Sequence, residues 1–306
     1  MKVLVATQKP FAKAAVDGIR DIVETNGHTL ALLEKYAEQS ELVAAVADAD
    51  ALIVRSDKVT AEVVEAAKNL KIVVRAGAGF DNLDLGACTA HNVVAMNTPG
   101  QNSNAVAELA IGLMVYMNRN QFTPGTGSEL KGKTIGIQAY GNVGRLVGKL
   151  AMGFGMNVLA FDPYLPDEKI EETGAAVAAS LEDLYEKSDF VSLHIPATAE
   201  TKGSIGRNLV SKMPKGACLI NTARKEVINE DELIEVLSER EDLRYVADVA
   251  PDKAEEFAAK FGKRFFATPK KMGAETAEAN VNAGLAAARQ ICSFFATGDR
   301  KFQLNK

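Results

Sequence analysis

The chain has no tryptophan, and in 306 residues it carries only three cysteines and three histidines. Cys88, Cys218 and Cys292 lie far apart with no CxxC pair among them. That spacing argues against a disulfide framework and against a structural zinc site, so no metal is expected and a reducing cytoplasm is the expected compartment. Positive charge is not in excess either. Lys and Arg number 35 against 40 Asp and Glu, giving a formal charge of −5, and the basic residues are scattered rather than striped along one face. Such a field does not gather polyanions, so nucleic acid is not an expected partner. Long apolar runs are missing too. No segment reaches the roughly 18 apolar residues that span a bilayer, and the opening MKVLVATQKP turns polar after six residues, sooner than a secretory signal core would. The expectation is a soluble, untargeted protein without a membrane partner.

What is present is ordinary for a globular enzyme, 47% hydrophobic and 25% charged, in a chain long enough for two hydrophobic cores. Short apolar runs at Val3–Ala6, Leu30–Leu33, Ala51–Val54, Ile72–Val74 and Val93–Met96 alternate with segments of helical spacing at Ala12–Glu24, Glu41–Ala47 and Ala61–Ala67. Parallel strands need crossover helices, and this rhythm predicts an open parallel sheet over the first 97 residues. A second series follows at Thr134–Gln138, Val158–Phe161, Phe190–Leu193, Cys218–Asn221, Tyr245–Val249 and Phe265–Ala267. Between them, Val106, Leu109, Leu113 and Met117 recur at the spacing of a long buried helix over 102–118, read as a bridge between domains. A last helix over 276–296 has no strand after it and must pack on something already made. The predicted division is a discontinuous domain, residues 1–97 plus 275–306, with a second domain, residues 98–274, inserted into it. Two chain crossings would make a hinge with a cleft beside it.

Within the second series, Lys133 to Arg145 reads strand, tight turn, helix, with Gly141 and Gly144 holding two places of the glycine fingerprint that cradles a dinucleotide pyrophosphate. Ala139 stands where the first glycine is usual. Asp162 ends the next strand, about 20 residues on, where a carboxylate accepts from the adenosine ribose hydroxyls and repels a 2′-phosphate. No arginine follows it in Asp162-Pro163-Tyr164. The predicted cofactor is NAD on a Rossmann-type domain.

Beyond the fingerprint come Ser192-Leu193-His194-Ile195-Pro196 with Thr201, then Asn221-Thr222-Ala223-Arg224, then Ala247-Asp248-Val249. Upstream lie Val54-Arg55-Ser56, Arg75-Ala76-Gly77-Ala78-Gly79-Phe80-Asp81-Asn82 and Asn97-Thr98-Pro99-Gly100-Gln101-Asn102. Together these words resemble the D-2-hydroxyacid dehydrogenase family, and among its members the phosphoglycerate dehydrogenases, in a short form lacking a regulatory C-terminal domain. The resemblance implies two doubly wound α/β domains, the Rossmann-type cofactor domain inserted into a flavodoxin-like substrate domain, and a homodimer. It implies NAD contacts from Tyr140, Gly141, Asn142, Val143, Asp162, His194, Pro196, Thr201, Thr222, Ala223, Asp248 and Gly273. Asp248, ending the strand beyond that of Arg224, is expected to face the nicotinamide.

Reducing a 2-keto acid requires a cation on the carboxylate and carbonyl, and an acid for the developing alkoxide. Arg224 suits the first task, since its planar fork binds carboxylate at two points. Backbone N–H groups at Ala76, Gly77 and Ala78 are the expected second cradle. Arg55, Ser56, Arg75 and Asn102 complete the expected substrate contacts, with Arg55 and Arg75 at strand ends suited to a phosphate. The acid departs from the family. Its Thr-Pro-His-Ile-Gly-Gly stretch is here Thr268-Pro269-Lys270-Lys271-Met272-Gly273, which puts Lys270 in the place of the histidine. The carboxylate that pairs with that histidine is replaced by Lys253, with Asp252 the nearest substitute. The two losses are chemically linked, because a histidine needs a carboxylate to stay charged and a lysine does not. The expected reaction is oxidation of 3-phosphoglycerate to 3-phosphohydroxypyruvate for serine synthesis. Glyoxylate or hydroxypyruvate reduction, or a non-catalytic NAD-sensing protein of the corepressor type, are the alternatives.

Overall fold

A computed structural model of the chain describes residues 1–305. They form two compact units, Met1–Asn102 with Glu275–Lys306 and Ser103–Ala274. The boundary lies a few residues beyond the expected 97, because the segment after it stays tied to the first unit. The Thr98 amide donates to the Gly77 carbonyl at 3.0 Å, and the Gly77 amide donates to Thr98 Oγ1 at 2.6 Å.

The first unit holds strands β1 (Lys2–Thr7), β2 (Thr29–Glu34), β3 (Ala51–Val54), β4 (Ile72–Arg75) and β5 (Val94–Asn97), all parallel, in the order β2-β1-β3-β4-β5. This is the flavodoxin-like order, and each strand ends within one residue of its expected bounds. Strands buried on both faces need continuous apolar runs. Val3 and Val5 face one core with Ile53, Val74 and Met96, while Leu4 and Ala6 face the other with Leu52, Val54 and Val73. The Ala277–Thr297 helix returns to the first of these cores through Ala283, Ala287, Ala288 and Ile291.

The second unit holds β6 (Thr134–Gln138), β7 (Asn157–Phe161), β8 (Ala176–Val177), β9 (Phe190–Leu193), β10 (Cys218–Asn221), β11 (Arg244–Ala247) and β12 (Phe265–Ala267), again all parallel, in the order β12-β11-β10-β9-β6-β7-β8. That is the Rossmann order with one strand added at the edge. β8 was not foreseen, since two residues carry no readable period. β11 ends two residues early because Asp248 turns its side chain into a loop. The long helix runs Ser103–Asn118 within this unit and packs Ala107, Ala110, Ile111, Met114 and Met117 on one sheet face. No helix among the described residues is long and apolar enough to cross a membrane.

Gly144 shows how tightly the first turn of the Asn142–Gly153 helix approaches β6. A Cβ there would lie 2.3 Å from the Ala139 carbonyl oxygen and 3.1 Å from Ile137. Backbone cannot yield as a side-chain tip can, so Gly144→Ala should cost about 1–3 kcal/mol, read as a lower denaturation midpoint in urea at unchanged slope.

Candidate functional site

Parallel pairing delivers every strand's carboxyl end to the same edge of its sheet. In the second unit the residues that follow β6, β7, β9, β10, β11 and β12 are, in order, Ala139–Val143, Asp162, His194, Thr222–Arg224, Asp248 and Thr268–Gly273. Almost all of the proposed cofactor and reaction residues thus gather at one edge, around the switch point where β6 pairs with both β7 and β9, the place where ligands bind in such sheets.

The turn after β6 is built without its usual first glycine. Ala139 adopts φ +71°, a left-handed conformation that costs a non-glycine residue roughly 1–2 kcal/mol. The turn is held by the Ala139 amide on the Phe161 carbonyl at 2.9 Å and the Tyr140 amide on Asp162 Oδ2 at 2.8 Å. Asp162 Oδ1 also accepts from the Tyr164 amide at 2.9 Å, so the carboxylate is oriented in advance while its remaining lone pairs stay open at a half-buried surface. The Tyr140 side chain is not at this edge. It is fully buried, bonded to Thr173 at 2.9 Å, and lies where a Cβ on Gly148 would touch it, leaving only its main chain to the turn. A Cβ on Gly141 would meet nothing within 4 Å, and Asn142 beside it is exposed with Val143 half-buried. Arg145, which the sequence reading passed over, places its Nε on the Tyr140 carbonyl at 3.1 Å and so keeps an exposed guanidinium beside the turn.

The loop after β10 is shaped by Asn221, another residue not singled out from the sequence. Its Oδ1 accepts from the Ala223 amide at 3.0 Å and its Nδ2 donates to the Arg224 carbonyl at 2.9 Å. Arg224, half-buried, spends one donor on the Ala223 carbonyl at 2.8 Å. Thr222 Oγ1 is buried with no hydrogen-bond partner among the described residues, which is costly unless a ligand supplies one. This orphaned hydroxyl, the open Gly141 turn and the oriented Asp162 are what a dinucleotide requires, so the residues present fit NAD.

Several of the expected contact residues also bond within the chain. Asp248 is fully buried and does not reach an open face. Its Oδ1 accepts from the Met272 amide at 2.8 Å and from Thr268 Oγ1 at 3.1 Å, and its Oδ2 from the Gly273 amide at 2.8 Å. Gly273 is therefore a loop anchor too. Thr201 ties its own loop, donating to the Pro196 carbonyl at 2.5 Å and accepting from the Thr198 amide at 2.7 Å, while Pro196 is exposed. Asp252, the nearest substitute for the glutamate, is exposed. Its carboxylate pairs with Lys225, and the amides of Asp252 and Lys253 are held by Glu230 at 2.9 and 2.8 Å. Lys270 and Lys271 are both exposed.

In the first unit, Arg55, Ser56, Arg75–Ala78 and Asn102 likewise lie at or after the carboxyl ends of β3, β4 and β5. The main-chain cradle at 76–78 is smaller than expected. The Ala76 amide is spent on the Val54 carbonyl at 2.8 Å and the Gly77 amide on Thr98. Gly77 sits at φ +145°, and a Cβ there would collide with the Arg75 guanidinium. Arg75 Nε donates to the Arg55 carbonyl at 3.0 Å. Arg55 bonds Asn280 and the Lys9 and Pro10 carbonyls, with its guanidinium 5.3 Å from the Phe11 ring centroid. Beneath them the buried Asp57, also unforeseen, accepts from the Gln8 amide at 2.7 Å, Tyr36 Oη at 2.8 Å and the Arg55 amide at 3.3 Å. Ser56 is exposed and Asn102 half-buried.

Residues 111–270 match the family described as D-isomer specific 2-hydroxyacid dehydrogenase, NAD binding domain. The chain belongs to the D-2-hydroxyacid dehydrogenases. It is 40% identical over 225 residues to the hydroxypyruvate reductase of Thermotoga maritima, covering 69% of this chain and 72% of that one. To the D-3-phosphoglycerate dehydrogenase of Methanocaldococcus jannaschii it is 38% identical over 272 residues, covering 83% of this chain and 51% of that one. The chain thus spans about half the length of that relative. Among solved structures it is similar to the NAD+-bound 3-phosphoglycerate dehydrogenase of Entamoeba histolytica, at a TM-score of 0.87 and 50% identity over 100% of this chain and 99% of that one. As in other D-2-hydroxyacid dehydrogenases, the fold is two parallel-sheet α/β domains, and both the family and the fold agree with the reading of the sequence.

His194 is the one histidine at this edge. Its Nε2 lies 2.9 Å from Ser192 Oγ, and burial pushes the ring's pKa down to about 3. The ring is therefore neutral near pH 7 and supplies no acid. Because the folded pKa lies below the unfolded one, the unfolded chain binds the extra proton, and stability should fall as pH drops from about 6.5 toward 3. Imidazole NMR shifts of His194 that stay flat from pH 8 to 5 are expected. A midpoint near 6.5 would contradict the assignment.

Proposed function

We propose that the chain is an NAD-dependent dehydrogenase that oxidises 3-phosphoglycerate at its 2-hydroxyl to 3-phosphohydroxypyruvate, feeding serine synthesis, as a cytoplasmic homodimer. One observation carries the reading. Arg224 follows β10 and Lys270 follows β12, the strands on either side of β11, at the same parallel edge that carries the dinucleotide turn. NAD, when bound, supplies the hydride acceptor. Arg224 binds the substrate carboxylate and polarises the C2 oxygen through its fork, whose one in-chain bond leaves donors to spare. Lys270 takes the hydroxyl proton as the neutral amine in oxidation and gives it back as the ammonium in reduction. With Asp252 engaged by Lys225, the proton transfer relies on a lysine, whose charged form needs no carboxylate partner, so the absence of the histidine and of the glutamate are chemically linked. Arg55 and Arg75 bind the phosphate, and Ser56, Asn102 and the main chain at Ala78 hold the rest of the substrate. Similarity to phosphoglycerate dehydrogenases supports the substrate. The hydroxypyruvate reductase relative supports a second reading, in which the phosphate is dispensable.

The purified protein should reduce 3-phosphohydroxypyruvate with NADH. Binding of NADH without turnover of any 2-keto acid would leave only a sensing role. Lys270→Ala should lose about a hundred- to ten-thousand-fold in turnover while retaining NADH binding, and Lys271→Ala should lose little. Near-normal turnover by Lys270→Ala would remove lysine from the mechanism.

Each arginine's charge-assisted contact should contribute about 1.5–3 kcal/mol, roughly ten- to a hundred-fold in preference for the phosphorylated substrate. If Arg55→Ala and Arg75→Ala leave the ratio of 3-phosphohydroxypyruvate to hydroxypyruvate reduction unchanged, the phosphate assignment falls and the reductase reading takes its place.

A further inference from the structure

An arginine on a loop recognises phosphate selectively only if its long side chain is aimed, and the aim of Arg55 comes from the loop after β1. The Lys9 and Pro10 carbonyls accept from its Nη1 at 3.2 and 3.4 Å, Asn280 Oδ1 accepts from its Nη2, and the Phe11 ring centroid lies 5.3 Å from the guanidinium. These partners are uncharged. They orient the cation without neutralising it, which is what a preorganised anion site needs.

That loop is fixed in turn by the buried Asp57. Its Oδ1 accepts from the Gln8 amide at 2.7 Å and from Tyr36 Oη at 2.8 Å, while its Oδ2 accepts from the Arg55 amide at 3.3 Å. Burial first, and then the bond to Asp57, push the Tyr36 pKa well above the usual phenol range, so its hydroxyl remains a donor. The topology explains why these groups meet. β1 pairs with both β2 and β3, so the segments after these three strands, carrying Gln8, Tyr36 and Arg55, converge at the switch point of the first sheet. From the other side, Asn82 Nδ2 donates to the Arg55 carbonyl at 3.3 Å and to the Asp57 carbonyl at 2.7 Å. Arg75 Nε shares the Arg55 carbonyl at 3.0 Å, so the second cation leans on the same turn.

We propose that Asp57 is the positioning residue for the phosphate-binding arginines, one carboxylate clamping the Arg55–Asp57 turn to the Gln8–Phe11 loop. Arg55 is thereby held at both ends, its main chain by Oδ2 and its guanidinium through the loop carbonyls that Oδ1 keeps in place. The inference rests on the reading of Arg55 and Arg75 as the residues that bind the substrate phosphate.

The two oxygens allow the clamp to be tested without dismantling the unit. Asparagine at position 57 keeps the volume, but whichever way its amide turns, an NH2 faces the Arg55 amide or the Gln8 amide, and one side of the clamp opens. In Asp57→Asn the ratio of 3-phosphohydroxypyruvate to hydroxypyruvate reduction should fall about tenfold, the scale of one charge-assisted bond. The kcat/KM for hydroxypyruvate and the Kd for NADH, from fluorescence titration, should be nearly unchanged. Charge alone acts the other way, since removing a carboxylate near an anion site favours the anion, so a fall reports geometry. Tyr36→Phe removes a donor to the same carboxylate yet leaves Gln8 and Arg55 bonded, and should lower the urea denaturation midpoint while keeping the ratio. Asn82→Ala, which releases the same turn from its other side, should lower the ratio more mildly and serves if Asp57→Asn does not fold. A ratio that rises or stays the same in Asp57→Asn and Asn82→Ala, while Arg55→Ala lowers it, would overturn this inference alone. An equal fall in Tyr36→Phe would trace the loss to general loosening of the unit and overturn it as well. If Arg55→Ala itself leaves the ratio unchanged, the phosphate reading beneath the inference falls instead.

Discussion

Parallel strand pairing is the constraint on which the rest of this structure depends. In a parallel ladder each strand must return by a crossover to start again at the same end, so every carboxyl terminus reaches one edge. Gly141, Asp162, His194, Arg224, Asp248 and Lys270 are spread over 130 residues of chain, yet each is the first or nearly the first group after a strand of the second sheet. The ladder leaves these termini as loops, whose backbone donors the sheet no longer uses.

Those loops are then shaped by a small set of buried or half-buried oxygens. Asp162 takes the amides of Tyr140 and Tyr164, Asn221 bridges Ala223 and Arg224, and Asp248 gathers Thr268, Met272 and Gly273. Asp57 does the same for the Arg55 segment in the first unit. In each case a short side chain replaces the ladder as the partner for main-chain groups that a strand has just released, and the energy of satisfying those groups goes into holding a functional side chain nearby. The Ala139 turn is the counterpart. Its left-handed backbone is held by amides on Phe161 and Asp162 rather than by glycine's freedom.

The strands and the dinucleotide turn were legible because their signals are local. Apolar runs between helical segments marked β3, β6, β9, β10 and β12 to the residue, and Gly141 with Asp162 marked the cofactor edge. The commitments of individual donors were not legible. The Gly77 amide looked available for an anion until Thr98, 21 positions on, was seen to take it. Asp248 reads as a strand-end carboxylate facing the nicotinamide and Asp252 as the nearest substitute for a glutamate, and no local pattern shows that the first accepts from Thr268, Met272 and Gly273 or that the second pairs with Lys225. Tyr140 likewise reads as part of the turn, and only its main chain is.

By itself, the sequence determined the doubly wound architecture and the glycine turn after β6, which follow from residue type and spacing along the chain, and the family, which follows from resemblance. Only the tertiary structure decided which oxygen each released amide would meet, and so which acidic residues hold loops in place and which remain open to a ligand. The physical reason is that hydrogen-bond satisfaction is settled between groups brought together by the ladder, across separations of 20 residues or more, and no local pattern records that outcome.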